Sequence, residues 1–107
     1  MSTTKDVFTE MDEMLKADPE KTKAIDGSFK FNVTGEGAGL WVVDCREVEV
    51  REVDGEADVT ITVDGADLVA IRDGELDPMQ AFMIGKVQVD GDYGLAMKLR
   101  DILPIDG

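Results

Sequence analysis

The chain has no histidine, one cysteine at position 45 and only 6% aromatic residues among its 107 positions. A lone cysteine excludes an intramolecular disulfide. Without histidine there is no Cys–His pair, and zinc would find neither an imidazole nor a second thiolate. Cys45 sits in a strand-like run and reads as a small buried apolar residue. Lys and Arg form no run, and 24 acids stand against 11 bases for a net charge of −13. Such a field repels phosphate backbones and anionic bilayers, which argues against a nucleic-acid partner. No stretch approaches a membrane span, so no stable membrane insertion is expected. Met1 to Leu15 carries four acids and no apolar run, unlike a signal peptide. Ile105, Asp106 and Gly107 make no peroxisomal tripeptide. A reducing cytoplasm fits these absences.

Hydrophobic residues make up 43% and charged residues 33%, which supports a globular fold. The length accommodates one domain, residues 1–107, with a modest core that any open cavity would weaken. The acidity has two readings: a surface adapted to concentrated salt, or an acidic cytosolic protein that is merely soluble.

Val7, Met11, Met14 and Leu15 recur at helical spacing, so Thr4 to Lys16 is expected to be an amphipathic helix stopped by Asp18-Pro19. From Ser28 to Val63 the period changes to two. Phe29, Phe31 and Val33 alternate with Lys30 and Asn32. Trp41, Val43 and Cys45 share one face of the next strand, and Val48 with Val50, then Val59, Ile61 and Val63, continue the pattern. This predicts an antiparallel sheet with one buried and one wet face. Beyond it, Asp64 can cap a helix carrying Leu68, Val69 and Ile71. Asp77-Pro78-Met79-Gln80 is a strong helix start, and the apolar circumference of Met79 to Ile84 implies burial on two sides. Lys86 to Asp90 reads as a fifth strand. Asp92 caps a last helix with Leu95, Leu99, Ile102 and Leu103 on one stripe, ended by Pro104. Gly94 in its first turn costs about 1 kcal/mol relative to alanine, so a close backbone neighbour is expected there. The fold class is α+β: a five-stranded, mainly antiparallel sheet covered on one face by helices.

Little in the sequence carries chemistry. No carboxylate stands isolated in an apolar segment, so no general base stands out and no catalytic residue is expected. Six Asp-Gly pairs occur, but Asp90-Gly91-Asp92 lacks the spacing of a calcium loop, and Asp-Gly is ordinary turn chemistry. No metal or cofactor is expected. Met79, Phe82, Met83 and Met97 form a thioether-rich set suited to irregular apolar partners or to an ordinary core.

The run Leu76-Asp77-Pro78-Met79-Gln80-Ala81-Phe82-Met83-Ile84-Gly85-Lys86, followed by Gly91 to Leu99, strongly resembles the sterol carrier protein 2 (SCP2-like) lipid-binding family. Gly39-Leu40-Trp41-Val42-Val43-Asp44 is similar to its tryptophan-bearing second strand, and Ala57 to Val63 to its fourth. The resemblance runs from about Ile25 to Leu103 and looks like a stand-alone prokaryotic version. It implies an apolar tunnel between sheet and helices that binds a fatty acid, acyl-CoA, isoprenoid or sterol-like ligand without covalent chemistry. Carried onto this chain, the tunnel lining is expected from Trp41, Val43, Ile61, Leu68, Ile71, Met79, Phe82, Met83, Val87, Leu95, Met97 and Leu99. Lys86 and Gln88 stand near a mouth, but strand parity points both away from the buried face. The alternative is the same fold with a collapsed tunnel, serving as a protein-interaction or accessory subunit.

Overall fold

A computed structural model describes residues 3–104, so Ile105 and the Asp106-Gly107 pair lie outside the described residues. Thr3 opens helix α1 (Thr4–Ala17) with a reciprocal cap. Its hydroxyl accepts from the Asp6 amide at 3.2 Å, and the Asp6 carboxylate accepts from the Thr3 amide at 3.0 Å. Val7, Met11 and Leu15 are buried, but Met14 is 38% exposed and Phe8 joins the core instead. The buried arc centres between Met11 and Leu15, which takes in Phe8 and leaves Met14 on the opposite shoulder. Asp18 ends α1 and caps α2 (Pro19–Ile25), accepting from the Lys21 amide at 3.2 Å.

Five strands follow the expected alternation: β1 (Ser28–Thr34), β2 (Gly39–Asp44), β3 (Glu49–Arg51), β4 (Val59–Asp64) and β5 (Val87–Gly91). They form one sheet in the order β3-β2-β1-β4-β5. Three pairings are antiparallel, while β1 and β4 run parallel. Alternation cannot distinguish the two, because both have a period of two. With β2 on one side of β1, the chain crosses back after β3 to add β4 on the other. The register sets Trp41, Phe31, Ile61 and Val89 in one row of the inner face, and Val33, Val63 and Val87 in the next. Lys30, Asn32, Thr60 and Thr62 on the opposite face are half-buried.

The inner face is covered by the helices. Asp64 caps α3 (Gly65–Arg72), accepting from the Ala66 amide at 2.9 Å, and Leu68 and Ile71 are buried beneath it. A Cβ at Gly65 would overlap the Glu36 carbonyl oxygen, so only glycine lets the β1–β2 turn approach the start of α3. Asp77 caps α4 (Pro78–Met83), accepting from the Met79 amide at 2.9 Å. Among the residues of α4 only Ala81 is buried, with Met83 78% exposed, which corrects the expectation of burial on two sides. So short a helix caps one margin of the layer and keeps its outer side toward solvent.

The last helix also departs from expectation. Asp92 caps α5 (Tyr93–Ala96), accepting from the Leu95 amide at 3.1 Å, but α5 has four residues and passes into a five-residue 3-10 helix, Met97–Asp101. A Cβ at Gly94 would meet only the Asp92 carboxylate, at 3.2 Å, so its close neighbour is the cap itself rather than a strand or a ligand.

Candidate functional site

Between the β4–β5 side of the sheet and the short helices lies a cavity of about 120 Å³. Its floor is Phe31, Ile61 and Val63 with Val87 and Val89 of β5. Leu68 and Ile71 from α3 make one wall. Pro78, Met79 and Phe82 from α4 close it on one side, and Tyr93 and Ala96 from α5 on the other. Met97, Leu99 and Arg100 of the 3-10 helix, and Leu103 beyond it, complete the enclosure. Phe82 and Tyr93 meet edge to face with centroids 6.5 Å apart, and both are exposed, so their rings mark the mouth.

The structure gathers Ile61, Leu68, Ile71, Met79, Phe82, Val87, Met97 and Leu99 around this cavity. Four other residues expected at the lining sit elsewhere. Trp41 stacks on Phe8 with centroids 4.4 Å apart and planes 10° from parallel, beneath α1. Val43 is wholly buried in the same part of the core. Met83 points to solvent. Leu95 packs where a Cβ on Gly27 would collide with it, at the turn into β1.

Sequence reasoning missed Phe31, Val63 and Val89, although strand parity puts them on the same face as Ile61 and Val87. It also missed Arg100 and Leu103, for a different reason. A 3-10 helix has three residues per turn, so Met97 and Arg100 align within it, while Leu103 lies beyond its end. The α-helical projection instead groups Leu95, Leu99, Ile102 and Leu103, of which Leu99 and Leu103 border the cavity. The alignment of Arg100 with Met97 follows from a winding that the apolar pattern does not encode.

A shallow polar cleft lies on another part of the surface, between the end of α2 and the start of α5, bordered by Asp26, Arg46, Asp58, Asp92 and Lys98. Three of its charges form one network. Arg46 Nε reaches Asp26 Oδ1 and its Nη2 reaches Asp58 Oδ2, each at 3.0 Å, and the Asp58 carboxylate accepts from the Ser28 amide at 3.1 Å. This is a latch that joins the end of α2 to the sheet. Cys45 is buried, and burial, with Asp44 adding to it, pushes its thiol up to about 11. It is therefore protonated at neutral pH and a poor nucleophile. Among the described residues no three His, Cys, Asp or Glu side chains are grouped to hold a metal ion, and no helix is long and apolar enough to cross a membrane.

The SCP-2 sterol transfer family matches the chain over residues 8–104. Hydroxysteroid dehydrogenase-like protein 2 of Danio rerio is 40% identical over 89 residues, covering 79% of this chain and 21% of that protein. Sterol carrier protein 2 of Oryctolagus cuniculus is 37% identical over 103 residues, covering 90% of this chain and 19% of that protein. The chain thus spans about a fifth of the length of these curated relatives. The solution structure of sterol carrier protein 2 from Aedes aegypti, in complex with the C16 fatty acid palmitate, superposes with a TM-score of 0.78 at 27% identity, covering 99% of this chain and 100% of that one.

Proposed function

This chain belongs to the SCP-2 sterol transfer family, and on that footing we propose that it binds or presents an apolar, lipid-like ligand in the cytoplasm without catalysing a reaction. The observation that carries the reading is the cavity itself, whose lining is almost wholly aliphatic, aromatic and thioether. Such a surface offers dispersion and desolvation, about 0.8 kcal/mol for each methylene it removes from water. It offers no carboxylate, thiol or imidazole, which supports a non-catalytic role. Palmitate in the Aedes aegypti relative supports a fatty acyl ligand, with acyl-CoA, isoprenoid or sterol-like molecules as other members of the class.

A volume of about 120 Å³ is close to that of engineered apolar cavities that hold one benzene, so a long acyl chain requires α4 and α5 to move outward from the sheet. Their short lengths make that movement inexpensive.

The test is a thermal-shift and calorimetric titration of the full chain with saturated fatty acids of increasing length. Melting temperature should rise with ligand concentration, since the ligand binds only the folded state. The variant Val89→Trp, which fills the cavity from the sheet edge, should weaken binding by about tenfold or more while the protein remains folded. Unchanged binding by a folded Val89→Trp would place the ligand elsewhere. Trp41 emission should respond weakly, because Phe31 stands between that ring and the cavity.

A second reading, a protein-interaction or accessory subunit, is favoured by one observation: Met83 and Ile84 are 78% and 59% exposed outside the cavity. Native mass spectrometry of protein purified from its host separates the two. Co-purifying lipid supports the first reading, and a stoichiometric protein partner without lipid supports the second.

A further inference from the structure

The cavity has one charged group on its lining. Arg100 is exposed and borders a space whose other walls carry no charge. Its setting is unusual for this chain. Of the four arginines in the sequence, the other three are taken up by carboxylates: Arg46 by Asp26 and Asp58, Arg51 by Glu49, and Arg72 by Glu10 and Asp73. Arg100 has no side-chain hydrogen bond or ion pair among the described residues. In a protein with 24 acids and 11 bases, a guanidinium without a carboxylate at the rim of an apolar cavity is a site open to an external anion.

The local winding explains its position. Met97 and Arg100 stand three apart, one repeat of the 3-10 helix, and both border the cavity. An arginine placed this way can lay its aliphatic stem along the apolar wall and keep its charged end at the water boundary. A planar guanidinium matches a carboxylate with two parallel hydrogen bonds.

We infer that Arg100 is the headgroup-recognising residue of this cavity, and that the chain selects a carboxylate-bearing amphiphile over an uncharged one of the same tail length. The inference rests on the lipid-binding reading and names the ligand class within it. A phosphate monoester presents similar oxygens, but its second negative charge is opposed by the net charge of −13. The singly charged headgroup is therefore the preferred one.

Calorimetric titration of the full chain with decanoate, decan-1-ol and decyl phosphate decides the matter, using wild type, Arg100→Gln and Arg100→Lys. Circular dichroism establishes that each variant is folded. Wild type should bind decanoate about three- to tenfold more tightly than decanol, a range set by solvent screening of an exposed charge pair. Arg100→Gln should remove that preference by weakening decanoate more than decanol, while Arg100→Lys should keep part of it. Raising the salt should shrink the preference in wild type alone. If both ligands bind and Arg100→Gln leaves their ratio intact, or weakens both equally, the headgroup assignment is wrong and the lipid site stands. Decyl phosphate binding more tightly than decanoate would overturn the choice of carboxylate. If none of the three binds wild type, the lipid reading itself falls and Arg100 falls with it.

Discussion

The two ends of the sheet's inner face carry the same kind of residue and are covered in different ways. Beneath α1, Phe8 stacks on Trp41 and meets Phe31 edge-on with centroids 5.2 Å apart, and Val7, Met11 and Leu15 are buried to completion. Beneath α4 and α5, Val87 and Val89 stay half-buried, and Phe82, Tyr93 and Met97 remain exposed around a cavity. One sheet row runs through both regions, from Trp41 through Phe31 and Ile61 to Val89. What changes along it is the length of the cover: fourteen residues in α1 against six in α4 and four in α5. A long helix can lay a continuous stripe on the sheet, and short pieces joined by turns cannot. Leaving about 120 Å³ open forgoes packing contacts that the α1 end makes in full. The α1 end compensates for that loss, which makes it the scaffold and the other end the candidate site.

The largest effect should come from breaking the scaffold. Phe8→Ala removes both aromatic contacts and opens a void in a closed region, at a cost of about 3–5 kcal/mol in urea denaturation. A cost below about 1 kcal/mol would mean that the α1 end is as loosely packed as the cavity end. The division between scaffold and site would then have no basis.

That division was only half legible from sequence. All five strands were readable because alternation is a property of single residues, and Asp64, Asp77 and Asp92 announced their helices by the hydrogen bonds they accept. Two things resisted. Trp41 and Val43 have the parity of cavity residues, yet parity says which face a residue is on and not what lies over it. Trp41 is covered by α1, and Phe8, the residue that makes it so, sits one step off the expected stripe. Arg100 was invisible for the other reason: three-residue winding in a segment whose apolar pattern reads as an α-helix. The family resemblance carried the expectation of a tunnel, and the structure holds a cavity at the β4–β5 side.

A smaller effect tests the site end. Phe82 is 41% exposed, so Phe82→Ala should cost no more than about 1 kcal/mol in stability. The same change removes half of the ring pair at the mouth and should weaken fatty-acid binding by about fivefold, read by calorimetry. The contrast with Phe8→Ala is the point: one phenylalanine matters for stability and the other for the ligand. If Phe82→Ala destabilises as much as Phe8→Ala, α4 is part of the scaffold and cannot swing outward to admit a chain.

The smallest effect concerns the joint between the two ends. α3 lends Leu68 and Ile71 to the cavity wall and is tied to α1 by a two-pronged ion pair. Arg72 Nε donates to Glu10 Oε2 at 2.8 Å and Nη2 to Oε1 at 2.6 Å. The hydrogen bond from Arg72 holds the Glu10 carboxyl below its ordinary value of 4.5, against the opposing influence of partial burial. A carboxyl depressed in the folded state stabilises the fold above its unfolded value and loses that contribution as pH falls through the folded one. Glu10→Gln should therefore lower the denaturation midpoint slightly at pH 7, because the pair is partly exposed and screened. The gap between variant and wild type should close as pH drops below 4.5, where wild type itself protonates. Raising the salt at pH 7 should narrow it too. A gap that persists unchanged into acid would mean that Glu10 contributes by packing rather than by charge. α1 and α3 would then be joined through their apolar faces alone, and the scaffold would extend without a break into the wall of the cavity.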